Sequence, residues 1–337
     1  MTTEGQFQLG DFELRSGQVL PDAHLGYATH GTLNETRDNV IVYPTWYLGQ
    51  HQAAEPYIGT GKALDPEHYF IVVPDMFTNG LSTSPSNCQP PCDGMNFPLV
   101  TAYDNVTAQH RLLTAHFGVR RVELAMGFSM SGQQAYHWGA LYPDFVKRIC
   151  SICGSAKTSA HNWVYLNGIK SIMESGEGWN DGTCATWPPK LRTAVTGIVT
   201  TMAWSQDWYR AAGFQSMGAT TVEEFLQLAE SFLAGWVPAD LYAQTLTWMA
   251  ADVSANPKFG GDLDEALGAI TASALIMPCD TDMYFRVADN EAEVAKMPNA
   301  ELKVIHSIWG HLAGLPGASP NDDAFVDAAL KELLATG

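Results

Sequence analysis

Gly127-Phe128-Ser129-Met130-Ser131-Gly132 follows the apolar run Val122-Glu123-Leu124-Ala125-Met126 and leads into Gln133 to Leu141, which reads as a helix ending before Pro143. Small residues at 127 and 131 flank the serine. Where a strand turns this sharply into a helix, the residues two before and two after the serine almost touch, so bulk there would clash. The turn leaves the Ser129 hydroxyl exposed at the carboxyl edge of a sheet. The helix amino-terminus, with the Met130 N–H, points at any oxyanion formed beside it. The stretch therefore reads as a nucleophile elbow, and a strand-turn-helix unit of this kind predicts a parallel sheet.

The 337 residues, 46% hydrophobic and 16% charged, can bury one large core carrying an insertion. A formal charge of -18 and a pI near 4.8 argue against nucleic acid or an anionic membrane surface as partner, because both would be repelled. Met1 to Phe7 has no basic region followed by an apolar run, and no later stretch approaches the ~20 apolar residues of a membrane span. The expectation is a soluble, cytoplasmic protein. Of the six cysteines, Cys150 and Cys153 have a redox-like or zinc-like spacing, but Arg148 to Gly154 reads as a strand, where positions three apart face opposite sides. Buried free thiols are expected.

Working outward from the elbow, Phe7 to Leu14 and Val19 to Ala28 read as a two-stranded meander, and Asn39 to Pro44 and Tyr69 to Pro74 as short buried strands. Asp104 to Phe117 reads as a helix and Arg148 to Cys153 as the strand after the elbow. Ala272 to Met277 and Glu301 to Ile305 supply two more strands, and Asp322 to Leu334 a closing helix whose start Ser319 and Pro320 mark. Strands alternating with helices imply an α/β protein with a mostly parallel, doubly wound sheet. The sheet pauses from 159 to 265, a helical stretch that holds seven of the ten tryptophans. Within it Thr221-Val222-Glu223-Glu224 has the form of a capping box, and Pro238 opens a further helix. The expected organisation is a core of 1–158 and 266–337 with a helical lid, 159–265, over the carboxyl edge of the sheet.

A serine hydroxyl is a poor nucleophile, so a base and an orienting acid are required, and in this architecture they follow in the order serine, acid, histidine. Asp280 and Asp282 follow the strand ending near Met277; His306 and His311 follow the strand ending at Ile305. His306 belongs to the strand end, whereas His311 sits in a loop able to reach Ser129. Spacing alone leaves the two aspartates open. The other histidines show no ligand pattern such as His-Glu-x-x-His, so no metal or organic cofactor is expected.

Several blocks in order resemble the homoserine O-acetyltransferase family of α/β-hydrolases. Tyr27-Ala28-Thr29-His30-Gly31-Thr32-Leu33-Asn34 is similar to the family's lead-in to its third strand, and the resemblance runs from about residue 6 to the end. It implies an α/β-hydrolase fold with a lid, Ser129 as nucleophile, Asp282 in Thr281-Asp282-Met283-Tyr284-Phe285 as the acid, and His311 in Gly310-His311 as the base. It also implies an oxyanion hole from the N–H groups of Trp46 and Met130, and a homodimer packed through the lid helices.

Two departures bear on substrate. The family follows its histidine with aspartate where this chain has Leu312, and its Asn-x-x-x-Arg in the first lid helix falls on Leu166 and Lys170. Homoserine carries two charges, and a charge buried without its partner costs roughly 3 to 5 kcal/mol, two to three decades of affinity. With Tyr47, Phe128, Leu166, Met283, Tyr284, Trp309 and Leu312 expected around the triad, the pocket should be apolar. The chain thus resembles the family's esterase-like members. The expectation is a carboxylic ester hydrolase for small, uncharged, short-acyl esters, with acetyl transfer from acetyl-CoA to homoserine or another small hydroxyl compound as the alternative.

Overall fold

The computed structural model describes residues 2–176, 179 and 184–335. Its strands are β1 (Thr2–Glu13), β2 (Val19–His30), β3 (Val40–Val42), β4 (Phe70–Pro74), β5 (Val122–Phe128), β6 (Arg148–Ile152), β7 (Ser273–Met277) and β8 (Ala300–Leu302). They form one sheet in the order β1-β2-β4-β3-β5-β6-β7-β8. β2 pairs antiparallel with β1 and β4, and every later neighbour pair is parallel. This is the doubly wound, mostly parallel sheet expected.

Alternation along the central strands builds two cores. Val40, Val42, Val72, Ala125, Ile149 and Ile276 enter one face, with Val106, Tyr136 and Trp138 from helices packed there. Ile41, Ile71, Met126, Ile152, Leu275 and Met277 enter the other, with Tyr57, Val326 and Leu330. Strands buried on both sides read as unbroken Val and Ile runs, which is why these elements were legible. At the edges the structure differs from the sequence reading. β1 begins five residues earlier than Phe7, with register shifts around Gly10. β8 stops at Leu302, and Ile305 keeps only an isolated bridge to Cys279.

Helix α1 (Ala102–Arg111) starts before Asp104 because Thr101 caps it, the Asp104 carboxylate accepting in turn from the Thr101 N–H. Helix α2 (Met130–Leu141) leaves the elbow directly. Between β6 and β7 run α3 (Ala160–Glu174), α4 (Pro189–Ala203), α5 (Gln206–Arg210), α6 (Val222–Ala234), α7 (Pro238–Met249) and α8 (Leu263–Gly268), and after β7 come α9 (Val287–Val294) and α10 (Pro320–Ala335). α3 packs on α7 and α4 on α6. At α6 half of the expected capping box forms: Thr221 accepts from the Glu224 N–H, but the Glu224 carboxylate takes the N–H and hydroxyl of Thr220.

Cys150 and Cys153 are buried free thiols, as expected, and Cys88 and Cys92 are half-buried. No described helix is long and apolar enough to cross a membrane.

Candidate active site

Ser129 sits at the β5–α2 junction with φ 59° and ψ -126°, a conformation a non-glycine residue holds only under strain. The surrounding packing enforces it. A Cβ at Gly127 would lie 2.0 Å from Ser131 Oγ and 2.2 Å from its carbonyl carbon, so only glycine fits. Ser131 Oγ in turn donates to the Pro44 carbonyl at 2.5 Å, tying the elbow to the end of β3.

His311 Nε2 lies 2.8 Å from Ser129 Oγ, and His311 Nδ1 lies 2.8 Å from Asp282 Oδ2. The carboxylate requires Nδ1 to carry the proton, which leaves Nε2 as acceptor for the serine hydroxyl. Asp282 is fully buried, and its Oδ1 accepts from the N–H groups of Tyr284 at 2.7 Å and Phe285 at 3.2 Å. Those two bonds fix the carboxylate plane. The other two candidates pair with each other: His306 Nδ1 is 2.8 Å from Asp280 Oδ2 on the surface.

The imidazole is packed by the tilted rings of Phe128 at 4.7 Å and Phe285 at 5.5 Å and by Tyr284, at right angles to it, at 4.8 Å between ring centroids. Among the described residues, neither the Trp46 nor the Met130 N–H has a hydrogen-bond acceptor in the protein, so both are free to serve an oxyanion. Cys153 Sγ lies within 4.8 Å of ligand atoms of Asp282 and His311. Burial pushes its thiol well above the ordinary range, and the Asp282 charge adds to that, so it stays protonated. With both imidazole nitrogens already bonded, this trio is a poor metal site.

A cavity of about 850 Å³ opens onto Ser129 and His311. Of the expected wall, Trp46, Tyr47, Phe128, Tyr284 and Leu312 line it. Leu166, Met283 and Trp309 do not. Leu166 shares with Ile169 and Met173 the buried face of α3 and is completely enclosed. The Trp309 ring turns away to pack edge-on against Trp208, 5.9 Å between centroids, and Met283 is half-buried outside the cavity. Lys170 pairs with Glu174 at 2.6 Å. Among the described residues, no lysine or arginine lines the cavity.

Sequence reading missed one ionisable wall residue. Asp240 on α7 is 2% exposed and receives the Ser86 N–H at 2.8 Å and the Ser86 hydroxyl at 2.6 Å. Burial raises its carboxyl to about 6, the bonds from Ser86 offsetting part of the rise. An aspartate two residues after Pro238 looks like ordinary first-turn charge, so no local signal could have marked it. Also missed was the wall from α4, whose Thr196, Val199, Thr200 and Ala203 fall on one helical face.

Fold and site together define a class of protein. The sequence matches the α/β hydrolase fold family over residues 40–313, and the chain belongs to that family. It is 36% identical to the ethyl acetate hydrolase of Pseudomonas veronii, across 98% of this chain and 96% of the other. The crystal structure of an acetylester hydrolase from Corynebacterium glutamicum, 35% identical, matches it with a TM-score of 0.94 over 99% of this chain and 96% of that one. The homoserine O-acetyltransferase of Chlorobium chlorochromatii is 30% identical over 89% of this chain and 87% of its own. The resemblance to esterase-like members therefore holds, with the acetyltransferases at greater distance.

Proposed function

We propose that the chain is a serine carboxylesterase acting on small, uncharged, short-acyl esters. Ser129 Oγ attacks the ester carbonyl while His311 Nε2 takes its proton. Asp282 holds the imidazole in the required tautomer, and the N–H groups of Trp46 and Met130 receive the oxyanion. The bond from carbonyl carbon to alkoxy oxygen then breaks, and His311 returns the proton to the leaving alcohol. Water, deprotonated by the same nitrogen, attacks the acyl-enzyme and releases the carboxylic acid.

The observation that carries this reading is the hydrogen-bonded chain Ser129, His311, Asp282 at the wall of a cavity with no lysine or arginine among its described residues. A cation is what the carboxylate of homoserine or the phosphates of coenzyme A would call for. The acetyltransferase relative at 30% identity keeps acyl transfer as the second reading, since transfer shares the first half-reaction. The test is release of acetic acid from ethyl acetate by the wild type and by Ser129→Ala, alongside incubation with acetyl-CoA and millimolar homoserine. Hydrolysis lost in the variant, with no O-acetylhomoserine formed, is the expected result. Transfer faster than hydrolysis would replace the esterase reading.

We also propose a homodimer through the lid helices, supported by exposed Trp163 and Val164 on α3 and Leu228 and Phe232 on α6. Light scattering should return twice the 36.7 kDa chain mass, and Val164→Glu with Leu228→Glu should halve it. A wild-type monomer at micromolar concentration excludes the dimer. Free thiols at Cys88, Cys92, Cys150, Cys153 and Cys279 suit a reducing compartment, and the cytoplasm is the location proposed.

A further inference from the structure

The cavity is far larger than the smallest ester it would serve. Ethyl acetate has six non-hydrogen atoms and at roughly 30 Å³ each fills about 180 Å³, a fifth of the 850 Å³ present. Sites of this size ordinarily enclose most of a much larger ligand. Part of the wall comes from two helices packed on each other, with Thr196, Val199, Thr200 and Ala203 from α4 and Ala229, Phe232 and Leu233 from α6. The valine, alanine, leucine and phenylalanine side chains present apolar surface, while the Thr200 hydroxyl turns back to the Thr196 carbonyl and the Thr196 hydroxyl has no partner among the described residues.

The position of this cleft relative to the chemistry is set by three contacts. A Cβ at Gly310, beside the histidine, would lie 2.9 Å from the Ala203 carbonyl oxygen and 2.8 Å from Ser205 N, so the end of α4 rests directly on the histidine loop. The Tyr284 hydroxyl donates to the Val199 carbonyl at 3.1 Å, and the Ser205 hydroxyl donates to the Ile308 carbonyl. α4 is thus the wall on the His311 side of the serine. In ester cleavage the alkoxy oxygen leaves beside the group that protonates it, which is His311 Nε2.

We propose that the α4–α6 cleft is the leaving-alcohol subsite of the esterase argued above, and that its preferred substrates are acetate-type esters of neutral, apolar alcohols of about six to eight carbons. This rests on the esterase reading. Octyl acetate, with twelve non-hydrogen atoms, would occupy about 360 Å³ and leave room for its passage from the mouth. The buried Asp240 on the same cavity wall disfavours an alcohol that ends in a carboxylate, because two anions would share a poorly solvated space.

The test compares isomers, so that solubility and total apolar surface cancel. Hexyl acetate and ethyl hexanoate have the same atoms but place the long chain on opposite sides of the scissile bond. A buried methylene is worth about a factor of four, so four of them should raise kcat/KM from ethyl to hexyl acetate by about 10². Hexyl acetate should exceed ethyl hexanoate by at least about tenfold, and the acetate ester of 6-hydroxyhexanoate should fall well below hexyl acetate. Val199→Phe, or Ala229→Phe should the first fail to fold, narrows the cleft and should cut the hexyl-to-ethyl ratio below about ten; thermal melting checks that the variant is folded. A flat response to alcohol length, or ethyl hexanoate equal to or better than hexyl acetate, overturns the subsite while leaving the esterase intact. Failure to cleave any ester would instead remove the esterase reading itself.

Discussion

Replacing Asp282 by asparagine is nearly isosteric, and the hydrogen bonds around the carboxylate dictate how the new amide must sit. Oδ1 is committed to two backbone donors, Tyr284 N at 2.7 Å and Phe285 N at 3.2 Å. An asparagine must keep its carbonyl oxygen there, because an NH₂ group against two N–H donors would leave both buried and unpaired at ~1 to 3 kcal/mol each. The amide NH₂ then occupies the Oδ2 position, 2.8 Å from His311 Nδ1. It donates to Nδ1, so the imidazole proton moves to Nε2, the nitrogen that faces Ser129. A protonated Nε2 cannot accept the serine proton. The expected loss in kcat is about 10⁴, the cost of a wrong tautomer in a serine triad. Asp280→Asn, which touches the surface pair with His306 and leaves an amide oxygen to accept from the Ser307 N–H, should stay within about twofold of wild type. Initial rates with p-nitrophenyl acetate at pH 8, with circular dichroism to check folding, make the comparison. Asp282→Asn retaining more than a tenth of wild-type kcat would refute the assignment, and loss in Asp280→Asn alone would move the acid.

Ser129→Ala and His311→Ala should each lower kcat by several decades, and the double variant should be little worse than either, since triad members act as a unit; multiplicative losses in a rate assay would break the pairing. Gly127→Ala forces a Cβ to 2.2 Å from the Ser131 carbonyl carbon, so the elbow must open; a drop of about 1 to 3 kcal/mol in urea-unfolding stability and about 10² in kcat is expected, and an unchanged kcat would contradict the steric argument. Asp240, raised from 3.8 to about 6, keeps its proton in the folded chain where the unfolded chain has lost it, so the site destabilises progressively from pH 4 to 6 and fully above, by at most ~3 kcal/mol. Asp240→Asn should therefore raise the melting temperature at pH 8 and change it little at pH 4, and equal shifts at both would show that the charge is not the cause.

The sheet was legible because its parallel strands are buried on both faces, which writes them as short Val and Ile runs between turn residues. The elbow was legible for a steric reason: Gly127 and Ser131 are small because the turn brings them into contact. Edges were not, since β1 owes its first five residues to pairing with β2 and not to any apolar pattern of its own. Loop position set His311 apart from His306, but the choice between Asp280 and Asp282 needed family resemblance. Tertiary structure shows why spacing could not decide it: both Asp280–His306 and Asp282–His311 form good pairs, and only one of them is buried against a serine.

The pocket was the least legible part, and the reason is rotational. Whether Leu166 faces substrate or core depends on how α3 is turned about its axis, and the face shared by Leu166, Ile169 and Met173 is inward. Proximity along the chain misled in the same way at Trp309, two residues from the histidine yet packed on Trp208. What the sequence could not reveal at all is that α4 is fastened to both loops that carry the triad partners, to the acid loop through Tyr284 and to the histidine loop through Ser205 and Gly310. A helix held in this way cannot move without moving His311 or Asp282. Substitutions on α4 should therefore register in kcat as well as KM, whereas substitutions on α6, whose Ala229, Phe232 and Leu233 line the same cavity, should register mainly in KM.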